Sequence, residues 1–277
     1  MLRGLYAAAS GMLARGIWQD ITANNLANLT TPGFKRDFPI FKTFADMLAS
    51  RITDIVPDRA NLKSPGLMRL NYRERVPIGT LGMGTDFEGI ATDLSQGPLV
   101  ETGNPLDLAI DGDGFFVVQT PAGERYTRSG SFSLDNLGHL VTQEGFMVMG
   151  ENGPIALPIH GPQAIKGIEV TETGAILVSG KPVAQLRIVR FQNPIDIVKE
   201  GNGLFRLAQG TAVAQVQPQP AGFSLMVKQG FLEMSNSDPI TELVSMIECL
   251  RAYETNQKAI AFFDQTLEKA VNEVGRG

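Results

Sequence analysis

The C-terminal segment from Asp238 to about residue 275 restricts the possible folds of this chain more than any other segment does. Asp238-Pro239 is typical of a helix start, because an aspartate carboxylate accepts a free backbone N–H and proline has none to lose. No further glycine or proline occurs before Gly275. Apolar residues occupy eight of ten positions of a seven-residue repeat, with Gln257 and Asp264 as the polar exceptions. The pattern predicts a long helix with a coiled-coil seam. The apolar members of this seam are Leu243, Met246, Leu250, Tyr253, Ile260, Leu267, Val271 and Val274.

The N-terminal segment, residues 1 to about 28, carries a second apolar stripe at helical spacing. Its members are Leu2, Leu5, Tyr6, Ala9, Met12, Leu13, Ile17 and Ile21. The helix is expected to end near Asn28, because Pro32 disfavours helical geometry in the residue before it and Gly33 permits a turn.

The two terminal segments differ in charge. Residues 1–36 hold four basic side chains and one acidic one, whereas residues 238–277 hold four basic and seven acidic ones, giving +3 and −3. Apolar helices of opposite charge favour pairing with the correct partner over pairing with themselves. The alternative is that both helices pack onto one globular core.

Residues 76–232 have the pattern of an antiparallel β-domain. Short apolar runs such as Phe115–Val118 and Val183–Phe191 alternate with turn sequences such as Asp111-Gly112 and Asn152-Gly153. Turn signals spaced about eight to twelve residues apart are typical of such domains. The thirty glycines and sixteen prolines of the chain agree with many turns between short strands.

The predicted fold class is therefore α+β, with an antiparallel β body and long helices at both chain ends. The helices are expected to form a discontinuous assembly domain of residues 1–33 and 233–277. Residues 34–75 are interpreted as an extended connector that contains a short helix near residues 41–52.

Composition excludes several classes of partner. The net charge is −5 and no segment carries a dense run of Lys and Arg, so binding to nucleic acid is not expected. No run of eighteen apolar residues occurs, which predicts no membrane insertion. Residues 4–9 are too rich in alanine and glycine for a typical signal peptide, so no cleavage is expected there. The single cysteine, Cys249, can neither form an internal disulfide nor build a metal site alone.

No catalytic, cofactor or metal site is predicted. The two histidines, His139 and His160, each lie beside a glycine in turn-like sequence without a catalytic motif. Asp111–Gly114 begins like a calcium loop, but Ala122 stands where the twelfth-position glutamate belongs, so a tight turn is predicted. Residues 82–87 begin like a dinucleotide-binding fingerprint but lack its third glycine.

Three blocks of sequence, in the same order along the chain, carry a resemblance to a known family. The first comprises Ala23-Asn24-Asn25-Leu26-Ala27-Asn28 and Thr31-Pro32-Gly33-Phe34-Lys35-Arg36. The second runs from Gln96-Gly97-Pro98-Leu99 through Thr102–Ile110, Gly112–Phe116, Tyr126–Arg128 and Gly130–Phe132 to Gly138–Val141. The third comprises Gln229–Asn236, Glu242–Ile247 and Arg251-Ala252-Tyr253-Glu254. The chain thus resembles the flagellar rod and hook protein family, and in particular its distal rod members of the FlgG/FlgF type.

This resemblance implies a non-enzymatic structural subunit of the bacterial flagellar basal body, outside the cytoplasmic membrane. It implies export through the flagellar type III apparatus and self-assembly into a helical tube, with other rod and hook subunits as partners. The tube would be the drive shaft that transmits torque from motor to hook. A hook subunit or a rod–hook junction subunit is the alternative within the family, and an extracellular adhesive or carbohydrate-active β protein is the alternative outside it.

The candidate functional residues are those of an assembly interface on the two terminal helices. They are Leu2, Leu5, Tyr6, Met12, Leu13, Ile17, Ile21, Asn24, Asn25, Asn28, Leu243, Met246, Leu250, Tyr253, Ile260, Leu267 and Val271. The three asparagines follow the N-terminal apolar stripe, where their amides could either cap helix carbonyls or bridge neighbouring subunits.

Overall fold

The computed structural model describes residues 2–43, 84–158, 167–191, 197–208, 216–218 and 225–274. The chain forms two compact units. Unit 1 consists of Met1–Ala23, Phe38–Ala91 and Leu243–Gly277, and unit 2 consists of Asn24–Asp37 and Thr92–Glu242. The chain therefore passes between the units four times.

Both predicted terminal helices are present. Helix α1 spans Leu2–Ala27, and helix α2 spans Pro239–Lys269 and continues into one π-helical turn, Ala270–Val274. The predicted N-cap of α2 is confirmed, because the backbone N–H of Thr241 donates to Asp238 Oδ2 over 2.9 Å. None of the helices in the described part of the chain has the length and apolarity needed to cross a membrane.

Unit 1 contains most of both helices together with a two-stranded sheet of β1 (Asp37–Thr43) and β2 (Thr85–Thr92). Within this unit, the ring centroid of Phe41 lies 6.2 Å from those of Trp18 and Phe87. The expected helix near residues 41–52 is wrong for residues 41–43, which extend β1, because aromatic and β-branched residues favour a strand. The remaining residues of that expectation lie outside the described part of the chain, as does His160.

Unit 2 is the predicted antiparallel β body, and the fold class α+β is confirmed at this level. Its strands are β3 (Leu99–Glu101), β4 (Leu108–Asp111), β5 (Phe115–Thr120), β6 (Gly123–Thr127), β7 (Phe132–Leu134), β8 (Leu140–Thr142), β9 (Met147–Gly150), β10 (Gly153–Pro154), β11 (Ile168–Val170), β12 (Ala175–Val178), β13 (Lys181–Gln185), β14 (Ile188–Phe191), β15 (Ile197–Gly201), β16 (Leu204–Leu207), β17 (Val216–Pro218), β18 (Met226–Gln229) and β19 (Phe231–Glu233).

The largest sheet has the strand order β15-β16-β6-β5-β9-β8-β7, with β10 paired to β9, β14 paired to β5, and β17 paired to β14. Strands β11, β12 and β13 form a three-stranded sheet. Two antiparallel pairs join early strands to late ones, because β18 lies against β4 and β19 lies against β3. Unit 2 therefore includes strands from residues 99–111 and from residues 226–233, which are far apart in sequence.

The interior of unit 2 contains two apolar clusters. The larger includes Leu108, Ile110, Phe116, Val118, Phe132, Leu140, Val148, Ile155, Ile176, Leu186 and Val227. The smaller is built around Phe115, Val117, Tyr126, Val189, Ile197 and Phe205. The turn predicted at Asp111–Gly114 separates β4 from β5 and places Gly112 at a φ of 114°, which favours glycine.

Candidate assembly surface

Helices α1 and α2 pack against each other within unit 1. A Cβ at Gly4 would lie 2.5 Å from the ring of Phe263, and a Cβ at Gly11 would lie 2.9 Å from Asn256 Nδ2. The two helices run antiparallel, since positions on α2 decrease as those on α1 increase. The missing glycine side chains permit this close approach.

The face of α2 that packs inward contains small, polar and large apolar residues. Cys249 is buried, and the partly buried positions include Ser245, Met246, Ala252, Asn256, Ala259, Ile260, Phe263, Thr266 and Leu267. Burial raises the pKa of the Cys249 thiol, although Arg15, which hydrogen-bonds to it, acts in the opposite direction. The face that α2 uses inside unit 1 therefore combines small and polar residues with four large apolar ones, Met246, Ile260, Phe263 and Leu267.

A row of large apolar side chains remains exposed on the first four turns of α2. We call it the outer α2 face, and it consists of Ile240, Leu243, Val244, Ile247, Leu250 and Tyr253. Leu243 is 48% exposed and Leu250 is 42% exposed. Contiguous apolar surface of this kind marks interaction sites in soluble proteins. Residues Ile240, Val244 and Ile247 were missed by the seven-residue repeat, but the apolar density of 240–250 was a signal for them.

The predicted interface residues do not share one face. Those that are exposed are Tyr6, Leu13, Asn24, Leu243, Leu250, Tyr253 and Val271. Those that are partly buried are Leu5, Met12, Ile17, Asn28, Met246, Ile260 and Leu267. Ile21 and Asn25 are buried, and the side chain of Leu2 lies outside the described part of the chain. The single predicted seam on α2 is thus divided between an inward face and the outer α2 face.

Unit 2 contains a buried group of charges that we call the Glu233 cluster. Glu233 Oε1 lies 2.5 Å from Lys35 Nζ, and Glu233 Oε2 lies 3.5 Å from Arg128 Nε. The backbone N–H of Gly97 donates to Glu233 Oε1 over 3.0 Å, and Lys35 Nζ donates to the carbonyl of Ser95 over 2.6 Å. All three charged side chains are almost fully buried. Two cations therefore share one carboxylate inside unit 2.

Burial lowers the pKa of Lys35, because desolvation disfavours its charged form, and Glu233 acts in the opposite direction. Burial also lowers the pKa of the Arg128 guanidinium, again against the attraction of Glu233. Glu233 is therefore the group that makes the burial of both cations tolerable.

A second polar group in unit 2 links the residues around Asn25. The Asn25 amide donates to the carbonyl of Asp37 over 2.8 Å and accepts from the N–H of Asp37 over 3.0 Å. Thr92 Oγ1 donates to Asp37 Oδ1 over 2.6 Å. Arg36 Nε lies 2.7 Å from Glu242 Oε1, and Asn25 Nδ2 lies 3.5 Å from Glu242 Oε2. We call these five residues the Asn25 brace.

The asparagines of the first sequence block have different roles in the structure. Asn28 Nδ2 donates to the carbonyl of Asn24 over 2.9 Å, which is local capping of the end of α1. Asn25 instead joins α1 to β1 and to Glu242, more than two hundred residues away in sequence. The sequence could not separate capping from bridging for these residues.

His139, the one histidine that the structure describes, takes part in a turn of unit 2. His139 Nδ1 lies 3.3 Å from Asp135 Oδ2, and the Asp135 carboxylate accepts the N–H groups of Leu137 and His139. These bonds close the turn between β7 and β8. Among the described residues, no group of three or more His, Cys, Asp or Glu side chains is placed to hold a metal ion.

Comparison with protein families finds three matches in order along the chain. Residues 5–35 match the family described as flagella basal body rod protein. Residues 109–178 match the D1 domain of the flagellar hook protein FlgE/F/G, and residues 228–273 match the C-terminal part of flagellar basal body rod FlgEFG proteins.

Curated proteins similar to this chain match it from end to end. The flagellar basal-body rod protein FlgG of Bacillus subtilis is 36% identical, over 98% of this chain and 99% of that protein. FlgG of Borreliella burgdorferi is 34% identical over 98% of both chains. The flagellar basal-body rod protein FlgF of Caulobacter vibrioides is 32% identical over 100% of this chain and 99% of its own length.

Proposed function

This chain belongs to the flagellar basal-body rod protein family, and we propose that it assembles into the rod through the outer α2 face. It is a structural subunit of the flagellar basal body and not an enzyme. Its family supports assembly with other flagellar rod and hook subunits.

The exposed outer α2 face is the observation that carries this proposal. Five of its aliphatic residues are each roughly half exposed or more, and complete burial of such side chains from full exposure is worth about 1.5–3 kcal/mol each. Covering the remaining exposed half of five side chains would therefore contribute roughly 4–7 kcal/mol before the costs of association. The described residues leave this face about half exposed, so we assign the gain to a neighbouring molecule that covers it.

The proposed assembly is a helical tube built from copies of this chain. A head-to-tail contact that does not close on itself produces a filament, and the outer α2 face and the exposed α1 residues Tyr6 and Leu13 give the chain two different apolar surfaces. We assign residues 1–33 and 233–277 to the coiled-coil assembly domain of this tube. The tube would transmit torque from motor to hook, and its subunits would leave the cell through the flagellar type III export apparatus.

The direct test is a carboxylate placed on the outer α2 face. Leu250→Asp should prevent incorporation into the rod, because a charge would be buried without a partner. Thr255→Asp is the matched control, since it introduces the same charge at an exposed position of the same helix away from the predicted seam. Isolated hook–basal bodies from both strains would be imaged by electron microscopy and probed for the subunit. Circular dichroism of both purified variants should show an intact β body.

Two results would overturn the proposal. Rods of normal length in the Leu250→Asp strain would exclude the outer α2 face as an assembly surface. Complete rods and hooks in a strain that lacks the gene would exclude the chain as a required rod subunit.

A further inference from the structure

The four passages of the chain between its units have a common feature. The chain leaves or enters unit 2 after residues 23, 37, 91 and 242. Within unit 2, the residues next to these four points are Asn24–Asn25, Arg36–Asp37, Thr92–Asp93 and Glu242. These are the residues of the Asn25 brace with their direct neighbours. Four segments that are distant in sequence therefore meet through one polar network.

The network connects every one of the four segments to another. Asn25 holds the backbone of Asp37 by two hydrogen bonds, and Thr92 holds its carboxylate by a third. The N–H of Asp93 donates to the carbonyl of Arg36 over 2.8 Å, and the Arg36 side chain pairs with Glu242. Each of the four segments is therefore held in place by hydrogen bonds or an ion pair to another segment.

Two further side chains extend the network into unit 2. Asn236 accepts from the N–H of Arg36 over 2.7 Å and donates to the carbonyl of Asp93 over 2.9 Å. Lys199, on β15, donates to Asp37 Oδ2 over 2.8 Å and also to the carbonyl of Lys35 over 2.8 Å. The brace is thus anchored to the largest sheet of unit 2 as well as to its own four segments.

A chain segment that is held at one point can rotate about its φ and ψ angles, whereas segments cross-linked by several hydrogen bonds move only together. We propose that Asn25, Arg36, Asp37 and Glu242 are positioning residues that make these four segments of unit 2 resist twisting as one element. This inference rests on the proposed function, because resistance to twisting matters in a subunit that carries torque.

Amide hydrogen exchange of the purified full-length chain tests the coupling directly. Asn25→Ala should increase exchange about tenfold or more in all four segments, since it removes two hydrogen bonds to Asp37 and one to Glu242 from a shared network. The matched control is Asn28→Ala, which removes an amide of the same sequence block that donates to the carbonyl of Asn24 and accepts from the hydroxyl of Thr31. The control should change exchange only in the last turn of α1 and in the turn that follows it.

Arg36→Gln is a second variant, in case Asn25→Ala does not fold, because it removes the ion pair with Glu242 but keeps the backbone bond to Asn236. Increased exchange in residues 92–97 and 236–242 as well as in 24–37 supports the brace. An increase confined to residues 24–37 in either variant overturns it. That result would not affect the proposal that the chain is a rod subunit. Complete rods in a strain that lacks the gene would overturn that proposal, but they would not change the exchange data.

The coupling should also appear in cells under load. Rods of the Asn25→Ala strain are expected to reach normal length in electron micrographs, while swimming stops at a lower medium viscosity than in the Asn28→Ala strain. Equal swimming of the two strains at every viscosity would overturn the mechanical role.

Discussion

Glu233→Gln hardly changes the volume of the side chain, and yet we expect it to destabilise the protein strongly. The glutamine side chain has nearly the same shape, and its amide oxygen can still accept the N–H of Gly97. The change removes only the negative charge that faces Lys35 and Arg128. Two cations would then remain buried near each other, and no other carboxylate of the described residues forms an ion pair with either of them.

The magnitude follows from the composition of the Glu233 cluster. Removing one partner of a buried ion pair costs about 3–5 kcal/mol, because the remaining charge stays desolvated. Lys35→Met should cost less, about 1–3 kcal/mol, since Glu233 keeps Arg128 as a partner. The carbonyl of Ser95 also keeps a donor in Asn236 after this change. We therefore expect Glu233→Gln to destabilise the protein more than Lys35→Met does, although the side chain changes more in shape in Lys35→Met.

Urea unfolding at neutral pH measures this order. Far-ultraviolet circular dichroism follows the secondary structure of both units, whereas fluorescence of Trp18, the only tryptophan, follows unit 1, so a loss of circular dichroism signal that precedes the change in fluorescence reports unit 2. Glu200→Gln is the matched control, because Glu200 pairs with Arg125 at an exposed position, and the midpoint of unfolding should hardly change. Equal destabilisation by Glu233→Gln and Glu200→Gln, or a larger effect of Lys35→Met, would refute the reasoning.

Two further predictions concern helix pairing and backbone packing. Burial raises the pKa of the Cys249 thiol, so the unfolded chain loses this proton at a lower pH than the folded chain does. The stability contributed by the thiol is therefore present below about pH 8.5 and declines as the pH rises further. The Cys249→Ala variant should lose less stability than the natural chain between about pH 8 and pH 10, and an equal pH dependence of the two proteins would contradict this prediction. Gly130→Ala should destabilise the protein by about 3 kcal/mol or more, because the added Cβ would lie 1.6 Å from the carbonyl oxygen of Leu108. Gly16→Ala, inside α1, should instead stabilise the protein by about 0.5–1 kcal/mol, because its Cβ would meet no atom within 4 Å. Thermal unfolding of both variants tests these opposite signs.

The elements of this fold follow from local sequence, and for that reason they could be predicted. Helix α2 begins at the predicted Asp238-Pro239 cap because capping depends on residues three positions apart. The short strands of unit 2 follow from apolar runs between glycine-rich turns. The connector containing Phe41 was the exception, since a short aromatic run is compatible with either helix or strand until its pairing partner is known.

The polar clusters could not be predicted, because their members are distant in sequence and show no periodicity. Lys35 and Glu233 are 198 positions apart, and charged side chains are usually on the surface. The one available signal was indirect, since both residues lie inside blocks that resemble the family. A resemblance indicates that positions matter, but the structure is needed to show that Lys35, Arg128 and Glu233 share one buried site.

Helix α2 has an inner and an outer face, and for this reason the seven-residue repeat alone gave an incomplete description of its contacts. A seven-residue repeat identifies large apolar residues, and these were assumed to form one seam with one partner. Inside unit 1, however, α2 approaches Gly4 and Gly11 of α1 through Phe263 and Asn256, neither of which belongs to the seven-residue repeat. This inner face leaves Leu243 and Leu250 exposed on the other side of α2. A helix with a completed inner face and an uncovered outer face is suited to a subunit that folds first and then adds to a neighbour, and the Leu250→Asp experiment examines the second of these steps alone.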